Sequence, residues 1–269
     1  MSETIRGEGP VAEERKVGGL SVGKATGGRR ILSLVRKELL SYLHAPAFYG
    51  AAVFFLAFTS AWLFHLSDFL AVNVASMRHY FAAFPLAFVL VVPVLTMRSW
   101  AEERKTGSVE LLLTMPFSEW DLVLAKFISS YALLAGMIAL TIPVPLTLIP
   151  LGNFDAGVIA AEYLGALLMG ASAVALGLLL SCLSRNQAGA FLATATALLL
   201  TMLAGPLVFG MGLPYQVGRL VNFLSLPFHF EGFSRGLLDS RPIVHFLSGT
   251  FLFLFLSTRV ILRGKWGKA

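Results

Sequence analysis

The chain has 269 residues, of which 57% are hydrophobic and only 13% charged, whereas an ordinary soluble domain carries roughly 25% charged residues. That balance excludes a water-coated globule, and the net charge of +6 is not gathered into the aromatic-interleaved basic patch of a nucleic-acid surface, so no nucleic-acid partner is expected. The single cysteine, Cys182, excludes an intrachain disulfide and a cysteine-based metal centre.

Residues 1–28 are rich in Gly, Glu, Lys and Ser, a composition that cannot offset the entropy of ordering a backbone, and they read as a disordered cytoplasmic tail. Inside it, GGLSVGKAT approaches a phosphate-binding loop but has Ala25 where a metal-holding Ser or Thr belongs. No apolar strand precedes it, so the chain is expected to bind no nucleotide itself. Residues 29–45 then form an amphipathic interfacial helix: Ile31, Leu32, Leu34, Val35, Leu39, Leu40 and Leu43 are placed on one side, Arg36, Lys37 and Glu38 on the other. Pro46 ends it.

A bilayer core of about 30 Å needs roughly 20 apolar helical residues, and six runs qualify: 47–66, 81–97, 122–149, 163–183, 188–211 and 243–260. The fold class is therefore all-α, a polytopic membrane protein of six transmembrane helices, with the permease domain at 46–264 and a short cytoplasmic tail at 265–269. With both termini in the cytoplasm, only Arg78, Arg219, Arg235 and Arg241 of the 21 basic residues face outward, as the positive-inside rule requires. Residues 212–242 carry Pro214, Pro227 and many aromatics, are too interrupted to cross a bilayer, and read as an external re-entrant segment. The span centres contain no Asp, Glu, Lys, Arg or His, which argues against an ion-coupled carrier. Pro85, Pro93, Pro143, Pro145 and Pro206 are expected to kink or break spans.

The segment AEERKTGSVELLLTMPFSEWDLVLAK, 101–126, is long and charged for a loop between spans. Glu102, Glu103, Arg104 and Lys105 make a polar turn, Gly107 allows a bend, and 109–113 form a short apolar helix closed by Pro116. Such a helix fits a groove on another protein, or it lies solvated at the interface with no partner. His229, Glu231 and Asp239 are a conceivable metal set at the external end, but their spacing follows no ligand rule; neither a metal site nor a catalytic residue is assigned.

These strings resemble the ABC-2 type permease family, in which a Glu-rich stretch, a Gly, an ELLL run, a Pro and a downstream GK occur together; here Ala125 replaces the last Gly. RKELLSYLHAPAFYG before the first span, LTMRSWAEERKTGSVELLLTMP after the second and LPFHFEGFSRGLLD before the last resemble in particular its gliding-motility-type permeases. The resemblance implies a type V exporter-like fold and a non-catalytic permease subunit without cofactor. Two permeases, identical or related, would pair, each docked on a separate ABC ATPase subunit that binds ATP and Mg. Its coupling segment would be 101–116, with Glu102, Glu103, Arg104, Gly107, Glu110, Leu111, Leu112 and Pro116 facing the ATPase; Glu103, Glu110 and Leu112 are the first choices. The protein would lie in the plasma membrane in contact with membrane lipid and act in export. The alternatives are a secondary carrier and a mechanical component of a surface or motility machine built from ABC-like parts.

Overall fold

The computed structural model of the protein describes residues 27–66, 76–106, 118–152, 154–210, 215–236 and 239–266. The near-P-loop at 18–26 and the stretch 107–117 lie outside the described residues, and with the latter Gly107, Glu110, Leu111, Leu112 and Pro116. Among the described residues every regular element is a helix: α1 Gly27–Leu43, α2 Pro46–Ala61, α3 Arg78–Thr96, α4 Ala101–Thr106, α5 Glu119–Ala139, α6 Pro143–Leu148, α7 Ala156–Leu183, α8 Gln187–Gly210, α9 Tyr215–Leu224, α10 Leu226–Phe230 and α11 Ser240–Trp266. Among the described residues six stretches are long and apolar enough to cross a membrane: Pro46–Phe64, Arg78–Arg104, Glu119–Leu148, Ala156–Leu183, Gln187–Gly205 and Ser240–Leu262. The protein is thus a multi-pass membrane protein.

Polar caps set where the spans begin. Ser118 and Asp121 form a reciprocal capping box, Ser118 Oγ accepting from the Asp121 N–H and Asp121 Oδ2 from the Ser118 N–H, so α5 starts at Glu119 rather than at the apolar onset near residue 122. Asp155 Oδ1 accepts the Gly157 N–H at 2.8 Å and starts α7 at Ala156 rather than 163. The expectation of uncharged span centres is untouched, but two buried ionisable residues enter the ends of the spans. Lys126, within the apolar run 122–149, and Glu162, one residue before the run 163–183, both lie about two turns inside the capped helices, 3% and 0% exposed. Of the prolines, Pro143 opens α6 after the turn that breaks span three, whereas Pro85 and Pro93 are accommodated within α3.

The spans alternate in direction, so contacts between sequence-distant residues sort to two ends. At one end Tyr42 meets Ser99, the Trp100 N–H meets Ser181, and Trp120 stacks near Phe251 and Phe255. At the other, Arg78 donates to the carbonyl of Ser234. α3 and α7 form the centre, with 72% of the apolar window of each buried against 22% for α2, α8 and α11. Phe55, Phe84, Phe81 and Tyr163 interlock between them, with ring centroids of Phe55–Phe84 at 5.3 Å and Phe81–Tyr163 at 4.8 Å. The short α9 and α10 pack on α8 rather than crossing it.

Without a hydrophobic force between helices in lipid, association rests on close packing. Gly177 supplies it, since a Cβ there would lie 2.5 Å from Thr96 Oγ1. Gly136, by contrast, has nothing within 4 Å of that position. Gly177→Val is therefore expected to lower stability by about 1–3 kcal/mol and Gly136→Ala to leave it unchanged or raise it by up to about 1 kcal/mol. Thermal unfolding of the detergent-solubilised protein checks the pair, and equal melting temperatures would contradict the packing account.

Candidate functional site

The α1 end of the bundle carries a polar junction built from three segments. In α1, residues 35, 38 and 42 share one face by the i, i+3, i+7 rule. Val35 and Tyr42 are buried there, and Glu38 points inward between them rather than joining the solvated side with Arg36 and Lys37. The same packing leaves Leu32, Leu40 and Leu43 exposed on the opposite face. This divides the single apolar side read from sequence into two.

In α5, Lys126 occupies a register of otherwise apolar buried residues, Leu122, Val123 and Ala125. Its Nζ donates to Glu103 Oε1 at 2.7 Å and to Glu38 Oε1 at 3.2 Å, and it lies 4.9 Å from the ring centroid of Trp100. Desolvating an ammonium costs several kcal/mol unless charges and hydrogen bonds compensate it; two carboxylates and an aromatic face do so here. Trp100 in turn is fixed through its backbone N–H, which donates to Ser181 Oγ at 3.3 Å. The turn after α3 is held by Arg98, which donates Nε–H and Nη2–H to the two oxygens of Glu102 at 2.8 and 3.1 Å, the bidentate geometry of strong guanidinium–carboxylate pairs.

Beside this ion set, the Tyr42 hydroxyl lies 2.6 Å from Ser99 Oγ and 3.4 Å from Ser130 Oγ. Burial pushes the Tyr42 phenol above its ordinary pKa, against the opposing pull of the Ser130 and Ser99 hydrogen bonds, so it remains a neutral bridge between α1, the α3–α4 turn and α5. A polar cleft of about 140 Å³ opens among these groups, with Lys37, Glu38, Arg98 and Glu102 on its walls.

The sequence-derived site residues divide accordingly. Glu102 binds Arg98, Glu103 is turned inward onto Lys126, and Arg104 is exposed; the remaining members of the set lie outside the described residues. Lys126, Glu38, Tyr42, Ser99 and Trp100 were not singled out from sequence. The available signals were a lysine in an apolar helical register and a glutamate spaced with Val35 and Tyr42.

At the opposite end, Glu162 is fully buried, and neither of its carboxylate oxygens accepts a hydrogen bond among the described residues. Nearby, Arg78 Nη2 donates to the Ser234 carbonyl at 3.1 Å. His229 and His245 stack with centroids 3.8 Å apart and planes at 18°. Their in-plane lone pairs therefore do not converge on one ion, and His229 is turned to the Phe223 carbonyl at 3.1 Å. Burial pushes His229 below its usual pKa. Among the described residues no group of three metal-ligating side chains forms.

A family model described as "ABC-2 family transporter protein" matches residues 49–257, well over half of the chain. The match covers α3, α4, Lys126 and Glu162 and begins after α1. No curated protein matches the chain.

Replacing Lys126 by Met removes the ammonium that Glu38 and Glu103 share. Because both carboxylates are mostly buried, the expected loss is about 3 kcal/mol, read as a lower unfolding midpoint in detergent. The double variant Lys126→Met with Glu103→Gln should recover part of it, since one unpaired charge is then gone. A single-variant loss within about 0.5 kcal/mol, typical of a neutral surface site, would show that the ion set does not hold the junction.

Proposed function

The chain belongs to the ABC-2 transporter family and is a membrane permease component of an ABC transporter, and from that premise we propose that it passes the motion of a separate ATP-hydrolysing subunit to its spans through the Lys126 junction. The observation that carries the reading is the position of α4. It leaves the central helix α3 through the Arg98–Glu102 turn, is tied to α5 and α1 by Glu103 and Lys126, and leads directly into residues 107–117. A displacement of α4 by a docked partner would thus pull on α3 and α5 together, because an ion pair with two buried carboxylates resists local slack.

In this proposal the coupling segment is 101–116. Gly107, Glu110, Leu111, Leu112 and Pro116 supply the docking helix and Arg104 its exposed charge, while Glu102 and Glu103 anchor it to the bundle. ATP and Mg are bound by the partner. The permease works as a pair with a second copy or a related chain, in the plasma membrane, with both termini cytoplasmic and transport outward; the gliding-motility-type resemblance fits this reading. The even number of spans among the described residues supports both termini at one end, and the concentration of basic residues at that end favours the cytoplasmic side.

One observation favours the carrier alternative: the buried carboxylate of Glu162, a residue type that marks ion pathways inside membranes.

Two measurements test the proposal. Leu111→Asp with Leu112→Asp is expected to abolish co-purification of a co-expressed ABC ATPase subunit that the unsubstituted protein retains, while leaving membrane insertion intact, since two charges cannot enter an apolar groove; unchanged co-purification overturns the docking assignment. Glu162→Gln should leave ATP-driven transport in sealed vesicles intact, whereas loss of transport together with a dependence on an ion gradient would establish the carrier.

A further inference from the structure

The far end of the bundle encloses a carboxyl that takes no part in the Lys126 junction. Glu162 is 0% exposed, and neither of its oxygens has a hydrogen-bond partner among the described residues. In α7, Val158, Glu162 and Gly165 share one face, spaced i, i+4 and i+7. The turn Phe233–Arg235 and Gly236 after it lie on that face: a Cβ added at Gly165 would come within 2.7 Å of Phe233 Cγ, and one at Gly236 within 2.9 Å of Val158 Cγ2. Glu162 is therefore covered by the turn, between these two points of contact. Phe233 anchors the turn from within, at 1% exposed. Arg78, at the start of α3, holds it through the Ser234 carbonyl, to which Nη2 donates at 3.1 Å.

Few groups face this carboxyl. Arg78 and Ser234 do so from α3 and the turn, and Tyr163 adjoins it on α7. Among the described residues no ionisable side chain of α5, α8, α10 or α11 acts on it. An ionised carboxylate enclosed without a hydrogen-bond donor is far more costly than the neutral acid. The one cation in reach, the Arg78 guanidinium, bonds the turn and not the carboxyl. We propose that the turn 233–236 is a lid over a proton-binding site at Glu162, shut while Glu162 is a neutral acid and open when it is ionised. On opening, the carboxyl O–H bond breaks, the proton passes to water at that end, and Arg78 leaves the Ser234 carbonyl to donate to the new carboxylate, a charge-assisted pair. Closing reverses each step. Because the shut state binds one proton more, acid favours the lid shut and alkali favours it open. A proton taken up and released at the same end crosses nothing, which separates this device from an ion-coupled carrier. Glu162→Gln keeps the shape of the neutral acid at every pH, so it removes the pH response and not the lid. The proposal rests on the geometry of the far end and is independent of any ATPase partner.

The test uses the full chain in lipid nanodiscs. The infrared difference spectrum between the unsubstituted protein and Glu162→Gln at neutral pH should contain a protonated-carboxyl C=O band, and raising the pH of the unsubstituted protein should remove that band without any substitution. Ser234→Cys reads the lid itself, through its rate of labelling by a hydrophilic maleimide, against a native Cys182 that is 1% exposed. One proton shifts an equilibrium by at most about tenfold per pH unit. Between about pH 6 and about pH 9 the labelling rate should rise about tenfold more than it does in Glu162→Gln with Ser234→Cys, a comparison that removes the ionisation of the thiol itself. Arg78→Gln with Ser234→Cys should label faster already at the acid end, because the tie to the Ser234 carbonyl is gone. Absence of the band, the same pH profile with and without Glu162, or an unchanged acid-side rate in Arg78→Gln overturns the assignment.

Discussion

A bilayer offers no hydrogen bonds, and almost every feature of this protein follows from the need to satisfy polar groups internally. Helices close the backbone within each span. Hydroxyls in the spans turn onto the preceding turn of their own helix: Thr59 donates to the Phe55 carbonyl, Thr96 to Val92, Ser129 to Ala125 and Ser257 to Phe253. These bonds let Ser and Thr lie in tight helix contacts without an unpaired group. The same requirement explains why a lysine inside α5 comes with two carboxylates and an aromatic ring, one carboxylate from α1 and the other two groups from the turn between α3 and α4 and the start of α4.

That ion set gives the α1 end its mechanical character. A helix lying across the end of a bundle is held weakly by apolar contact alone when lipid competes for the same surface. Glu38 adds a directional tie whose loss leaves a buried charge uncompensated, and the Tyr42 hydroxyl adds a second tie to Ser99 and Ser130. Because Glu103, which binds Lys126, directly follows Glu102, which binds Arg98, the start of the 101–116 segment is clamped on two sides. Attachment to α3, α5 and α1 at once is what a lever between an external motor and a helical bundle needs.

The two ends of the bundle differ in kind. The α1 end is a connected network of charges, whereas the far end combines aromatic stacks with the fully buried Glu162 and the Arg78–Ser234 bond. α9, α10 and the turn at Phe233–Arg235 close that end by packing on α8 and α7, and Gly236, at φ 69°, ends that turn in a left-handed conformation that a Cβ-bearing residue would strain.

The amino-acid sequence by itself determined the all-α class, the six spans and the family, because length, apolar runs and loop charge are one-dimensional properties read residue by residue. It also marked 102–105 as polar, but as a turn, whereas the structure makes Ala101–Thr106 a helix. What it could not determine was which polar groups would meet. Glu38 looked solvated beside Arg36 and Lys37, and only the docking of α1 on α5 chose the Val35–Tyr42 face that turns it inward. Lys126 was counted with the charges of the loop although it falls within the apolar run 122–149, and only the docking of α1 and α4 on α5 gave it two carboxylates inside the bundle. Glu162 fell just outside an apolar run, and the Asp155 cap starts α7 before it. Ion pairs between residues 23 and 88 positions apart leave no periodicity in a sequence, since their partners are brought together by the packing of the spans.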